Sequence, residues 1–123
     1  MDHDIAHPVR TFFQSYLTAE RNLSPHTVLA YRDTLKLLLA FAARQLRKSC
    51  VVLHIEDLTP AVVREFLEHL EKERRNCART RNVRLAVIHT FFRYLASLDP
   101  RLVEQCQAVL GVPFKRQNEP VMD

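Results

Sequence analysis

Arg79, Thr80, Arg81, Asn82 and Arg84 fall within six consecutive residues, inside a stretch from Arg74 to Leu98 that contains no acidic side chain. Side chains of these types bind phosphate and base edges. A guanidinium is permanently charged, and its planar fork of donors matches a phosphate, or the O6/N7 edge of guanine, in two-point fashion. The surrounding charge is segregated. His54 to Glu73 holds six acidic and two basic residues, whereas Arg74 to Arg93 holds six arginines and no acid. Such a partition gives a small domain one basic and one acidic face and steers polyanions toward the former.

These arginines need a helix to present them, and the sequence supplies one over Ala78–Leu98. At about 100° per residue, Leu85, Ile88, Phe92 and Leu95 form one apolar stripe, and Val83, Val87, Phe91, Tyr94 and Leu98 an adjoining one. Phe91, Phe92 and Tyr94 are therefore expected in the core rather than under bases. Arg81 and Arg84 lie on the angular continuation of this arc, where a buried unpaired guanidinium would be costly. The core is expected to stop before them and leave them bare. Asn82, His89, Thr90, Arg93 and Ser97 occupy the opposite face, which places His89 toward solvent. The helix N-terminus adds free N–H groups and partial positive charge, so Thr80, Arg81 and Arg84 are expected nearest an anionic ligand. The competing reading is an ordinary solvated arginine face, with Arg74 or Arg75 paired to Glu71 or Glu73.

The rest of the composition narrows the class. A chain of 123 residues, 47% hydrophobic and 26% charged, fits one globular domain with a real core. It has a single glycine, Gly111. Long periodic segments with so little glycine favour an all-α fold of four to five helices over hairpins and sandwiches. The longest apolar run, Leu37–Ala43, is too short to span a bilayer and the N-terminus lacks a secretory core, so no membrane contact and a cytoplasmic location are expected. Cys50, Cys77 and Cys106 lie far apart with no CxxC pair, and the six histidines are scattered. No metal site, no cofactor and no small-molecule substrate are expected. Nucleophile elbows, phosphate loops and paired-carboxylate sites are absent from the sequence pattern, and Glu65, Glu68 and Glu71 are read as a solvated helix face.

Taken in order, Val9, Phe12, Phe13, Tyr16 and Leu17 follow helical spacing from Pro8 to about Arg21. Ser24 as N-cap and Pro25 at the first position open a long helix to about Lys48. Val28, Tyr31, Leu35, Leu38, Ala42 and Leu46 form its inner stripe, while Arg32, Lys36 and Arg47 gather on another face. Residues 49–58 break the helical period and are expected to cross in extended form without a partner strand. Thr59 and Pro60 open a third helix to about Arg74, with Val62, Val63, Phe66, Leu67 and Leu70 inward. After Asp99 and Pro100 a short helix carries Leu102, Val103, Cys106, Val109 and Leu110 and stops at Gly111 and Pro113. The domain is expected to span 1–113, with 114–123 as a polar linker.

Several of these segments resemble a known family. LSPHTVLAYRDTL at Leu23–Leu35 is similar to the start of the second helix of the core-binding domain of tyrosine recombinases, the phage-integrase group. RTRNVRLAVIHTFFRYL at Arg79–Leu95 resembles that domain's fourth helix, and DLTPAVVREFLEHL at Asp57–Leu70 its third. FKRQNEPVMD resembles the exit toward the catalytic domain. The resemblance implies a SAM-like helical bundle forming half of a clamp around double-stranded DNA, with the second and fourth helices toward the DNA. Carried over residue by residue, it implies contacts from His26, Thr27, Tyr31 and Arg32 and from Thr80, Arg81 and Arg84; Lys36, Arg79 and Asn82 on the same two helices complete the expected DNA-binding set. Thr27 and Tyr31 belong to a recurrent T-x-x-x-Y-R pattern and are in part structural.

The resemblance also implies that catalytic residues belong to a downstream domain which this chain does not include. The chain is then expected to be inert, and Tyr16, Tyr31 and Tyr94 are not nucleophiles. The full-length parent would cut and rejoin DNA through a phosphotyrosyl intermediate. Its partners would be duplex DNA and other protomers of a synaptic complex, the final helix being a candidate protein interface. The alternative expectation is a helical protein-interaction module that never meets nucleic acid.

Overall fold

The structure, a computed structural model, describes residues 4–116. It is all-α among the described residues: α1 (Ala6–Thr11) runs into a π-helical segment, Phe12–Glu20, followed by α2 (Pro25–Leu46), α3 (Pro60–Lys72), α4 (Ala78–Leu98) and α5 (Val103–Leu110). The helix starts follow from the caps. Ser24 Oγ accepts from the Thr27 N–H at 3.2 Å, and Thr59 Oγ1 accepts from the Val62 N–H at 3.2 Å, each ahead of a proline that gives up no needed donor.

The π winding was not expected. It is marked at its end by the Arg21 N–H donating to the Tyr16 carbonyl at 2.8 Å. Residues five apart diverge on an α-helix and are brought closer around the axis by the wider i→i+5 winding. Phe12 and Leu17 can therefore both be fully buried. Phe12 is the hub of the core: its ring centroid lies 5.1 Å from Phe91, 5.4 Å from Tyr94 and 6.3 Å from Tyr31. These contacts bind the first helical segment to α2 and α4 and bear out the assignment of Phe91, Phe92 and Tyr94 to packing. The Tyr94 hydroxyl bonds to Thr11 Oγ1 at 2.6 Å. All five residues expected to face inward from α3 are buried.

With one glycine available, three helix exits use other residues in the left-handed region: Asn22 (φ 49°), Arg47 (φ 53°) and Arg75 (φ 54°). After each, a backbone N–H reaches back over the turn: Leu23 to Leu17, Lys48 to Ala43 and Asn76 to Leu70. Gly111 itself has φ −77° and is not left-handed.

Residues 49–58 correct the extended-segment expectation. They form two single 3₁₀ turns, Cys50–Val52 and Ile55–Asp57, which bury Leu53, Ile55 and Leu58 while leaving Val51 and Val52 in solvent. Asp57 fastens this piece. Burial works against its carboxylate, but the His54 N–H at 2.9 Å and the Lys48 ammonium at 3.1 Å outweigh burial and hold its pKa below the ordinary value. Gln105 of α5 donates to the Ile55 and Leu58 carbonyls at 2.7 and 3.0 Å, tying the crossing segment to the last helix.

Candidate nucleic-acid interface

Helical geometry sorts the first turns of α4 into two sides. Thr80 and Arg84, four apart, share the side that meets α2, and residues 81 and 82 are rotated away from it. Between α2 and α4 lies a groove of about 340 Å³, lined by His26, Thr27 and Tyr31 on one wall and Thr80, Val83 and Arg84 on the other. Five of the residues expected at the interface thus come together across some fifty positions of sequence. Tyr31 is half-buried and stacks on Phe12, and Thr27 is held by Ser24 Oγ at 3.0 Å, so both also serve the fold.

Arg84 is not bare, contrary to expectation. Its side chain is 17% exposed, and Nη1 lies 3.4 Å from Asp33 Oδ2 and 3.4 Å from Thr34 Oγ1. Its Nε is buried without a hydrogen-bond partner among the described residues. The physical reason is that α4 lies against α2 from its first turns, so the apolar arc does not stop short of this arginine; a neighbouring carboxylate offsets its charge instead.

Arg81 departs further from expectation. Its side chain is 13% exposed and sits on the opposite side, with Nε 3.3 Å from Glu71 Oε1, within ion-pair range though off hydrogen-bond alignment. Its Nη1 donates to Asn82 Oδ1 at 3.0 Å and to the Pro113 carbonyl at 3.3 Å. Glu71, expected as part of a solvated face, pairs with both Arg81 and Lys115. Asn82 is buried rather than outward: its amide donates to the Lys115 carbonyl at 2.7 Å and accepts from the Lys115 N–H at 2.8 Å.

His89 is likewise corrected, at 4% exposure instead of solvent-facing. It packs edge-on to Phe114 with ring centroids 5.2 Å apart. Burial first, and the nearby Arg93 charge second, push its pKa down against backbone hydrogen bonds with Val112 and Val109. Phe114 and Lys115, expected at the start of a linker, are therefore docked on α4; the expected linker's later residues, 117–123, lie outside the described residues.

The other expected residues distribute as follows. Arg79 is exposed and makes no ion pair among the described residues. Arg32 and Lys36 flank a different groove, of about 350 Å³, between the first helix and α2, together with Val9, Phe13 and Leu29. Val83 and Leu98, expected in the core, are 58% and 48% exposed. Asp33 and Thr34 were not among the expected residues. No sequence signal could have joined them to Arg84, because the pairing exists only through the contact of α2 with α4. Among the described residues no three His, Cys, Asp or Glu side chains gather as a metal cluster, and no helix is long and apolar enough to cross a membrane.

The family profile described as "Phage integrase, N-terminal SAM-like domain" matches residues 11–98. The putative integrase/recombinase y4rD of Sinorhizobium fredii is 42% identical over 108 residues, which is 88% of this chain and 38% of that protein. The putative integrase/recombinase y4rC of the same organism is 43% identical over 108 residues, 88% of this chain and 32% of that protein. Tyrosine recombinase XerC of Pelobacter propionicus is 36% identical over 86 residues, 70% of this chain and 27% of that protein. The chain thus spans between a quarter and two fifths of the length of these relatives. No solved structure gives a significant match.

Proposed function

Because the chain belongs to the phage integrase N-terminal SAM-like domain family, we propose that it is the non-catalytic DNA-binding part of a site-specific tyrosine recombinase acting in DNA integration or recombination. The domain the family profile describes is the N-terminal one and not the catalytic one. Binding runs through α2 and α4: the groove residues His26, Thr27, Tyr31, Thr80 and Arg84 face the duplex, with Arg79 at the rim. Arg32 and Lys36 extend the basic surface along α2. Arg81 and Asn82 hold the C-terminal segment and are not phosphate contacts. In the parent protein the unit 1–113 forms half of a clamp closed by a downstream catalytic domain, meets other protomers in a synaptic complex, and works in the cytoplasm.

The observation that carries this reading is the α2–α4 groove, where polar groups from two distant segments converge around one guanidinium, that of Arg84. Phosphate contacts release condensed counterions, so affinity falls by roughly 0.9 log units per tenfold rise in salt for each phosphate neutralised. Half a clamp is expected to bind within about 10⁻⁴ to 10⁻⁶ M. The test is fluorescence anisotropy with a random-sequence duplex over a salt series, for the natural chain and for Arg79→Ala/Arg84→Ala, with circular dichroism on both. Salt-sensitive binding that the double variant weakens at unchanged helicity supports the reading. Binding that is absent, salt-independent or unaffected by the double variant overturns it; absent binding favours the protein-interaction module.

A further inference from the structure

Among the described residues lining the α2–α4 groove there is one permanent cation, Arg84, and one carboxylate, Asp33, and the two face each other at 3.4 Å. Asp33 has no role in the core: its side chain is 64% exposed, and among the described residues the side chain it meets is that of Arg84. We propose that Asp33 is a built-in competitor for phosphate, occupying the Arg84 guanidinium in the free domain until a nucleic-acid phosphate displaces it. The proposal deepens the duplex-binding reading and rests on it.

The asymmetry of the pair makes one partner the movable one. Arg84 is anchored along its stem, at 17% exposure, whereas the Asp33 carboxylate stands on the water side. A carboxylate can swing outward by a rotamer change at little cost, while the guanidinium stays where it is. The contact itself is weak. Both of the Nη1 contacts of Arg84, to Asp33 and to Thr34, lie at 3.4 Å, the long end of hydrogen-bond range, and the Nε has no partner at all among the described residues. A phosphate, with several acceptor oxygens, satisfies such a fork better than a single distant carboxylate oxygen.

Arg81 shows the contrasting case on the same helix. It is held on three sides by Glu71, the Asn82 amide oxygen and the Pro113 carbonyl, with Glu71 itself only 26% exposed. That arginine has no movable partner to exchange. Arg84 by contrast has an exchangeable partner, which a phosphate backbone held in place by neighbouring contacts displaces.

The experiment is a double-mutant cycle on the chain, using Asp33→Asn, Arg84→Gln and the two combined. Each is titrated with a random-sequence duplex by fluorescence anisotropy across a salt series, with helicity checked by circular dichroism. Asp33→Asn keeps the size of an exposed side chain and Arg84→Gln keeps the buried stem, so both are expected to fold. Freed of its competitor, Arg84 binds more readily: Asp33→Asn is expected to tighten binding about two- to fivefold, and to steepen the log–log salt slope by up to about 0.9. In the Arg84→Gln background the same change is expected to alter affinity by less than about 1.5-fold. An equal gain in both backgrounds overturns the proposal, since Asp33 then acts by general repulsion. Weaker binding by Asp33→Asn also overturns it and makes Asp33 a direct contact to a base amino group. Absence of salt-sensitive binding in the natural chain instead removes the duplex reading itself, so the two failures are distinguishable.

Discussion

The side-chain amide of Asn82 grips the backbone of Lys115 at two points, donating to its carbonyl at 2.7 Å and accepting from its N–H at 2.8 Å. It pairs with that residue much as a neighbouring strand would. Around this clasp, Arg81 donates to the Pro113 carbonyl, Lys115 pairs with Glu71, and Phe114 lies on His89. One helix therefore presents Thr80 and Arg84 to the α2 groove and holds the segment after α5 on its other side.

Asn82→Ala removes both bonds of the clasp and is expected to cost about 1–2 kcal/mol locally. The segment then opens more often, and tryptic cleavage after Lys115 and Arg116 should accelerate about tenfold. Peptide mapping under native conditions checks it. Unchanged cleavage would mean that the Arg81–Pro113, Lys115–Glu71 and Phe114–His89 contacts hold the segment without the clasp.

Protonation of His89 should loosen the same segment. Its folded-state pKa lies below the ordinary 6.5, so the unfolded chain takes up the proton first. Stability from this residue is complete above about pH 6.5 and declines as pH falls through the folded-state value. Thermal melts between pH 8 and 5 are expected to show a drop below pH 6.5 that is reduced in His89→Gln.

The three thiols should separate by reactivity. Cys106 is buried and its pKa is pushed up to about 11. Cys77 is exposed, and hydrogen bonds from the Thr80 side chain and backbone lower its pKa. A disulfide reagent at pH 7.5 should label Cys77 first and Cys50 next, and reach Cys106 only on unfolding; a rise from 9.0 to about 11 alone cuts its thiolate about a hundredfold.

Arg47→Gly is expected to stabilise the domain. Arg47 is exposed and sits at φ 53°, where a side chain costs about 1–2 kcal/mol. Glycine removes that cost but adds about 0.5–1 kcal/mol of unfolded-chain entropy. The net gain, about 0.5 kcal/mol, should appear as a higher denaturant midpoint at unchanged slope. A lower midpoint would show that the arginine side chain contributes more than the strain removes.

What the sequence determined by itself was the helix starts and the inward faces, while the π winding of Phe12–Glu20 and the 3₁₀ turns within residues 49–58 escaped it. The Ser24–Pro25 and Thr59–Pro60 starts, the α3 core stripe and the packing role of Phe91, Phe92 and Tyr94 depend on residues within a few positions of one another. The family also followed from local segments in a fixed order. The tertiary structure alone decided what each arginine faces. Helical angle put Arg81 and Arg84 on the edge of the apolar arc, but whether that edge meets water, α2 or the returning C-terminal segment depends on how the helices pack. Asp33 reaches Arg84 from α2, and Lys115 reaches Asn82 from beyond α5. A buried polar side chain requires a partner but does not say which, so His89 and Asn82 read as surface until distant backbone is brought onto them.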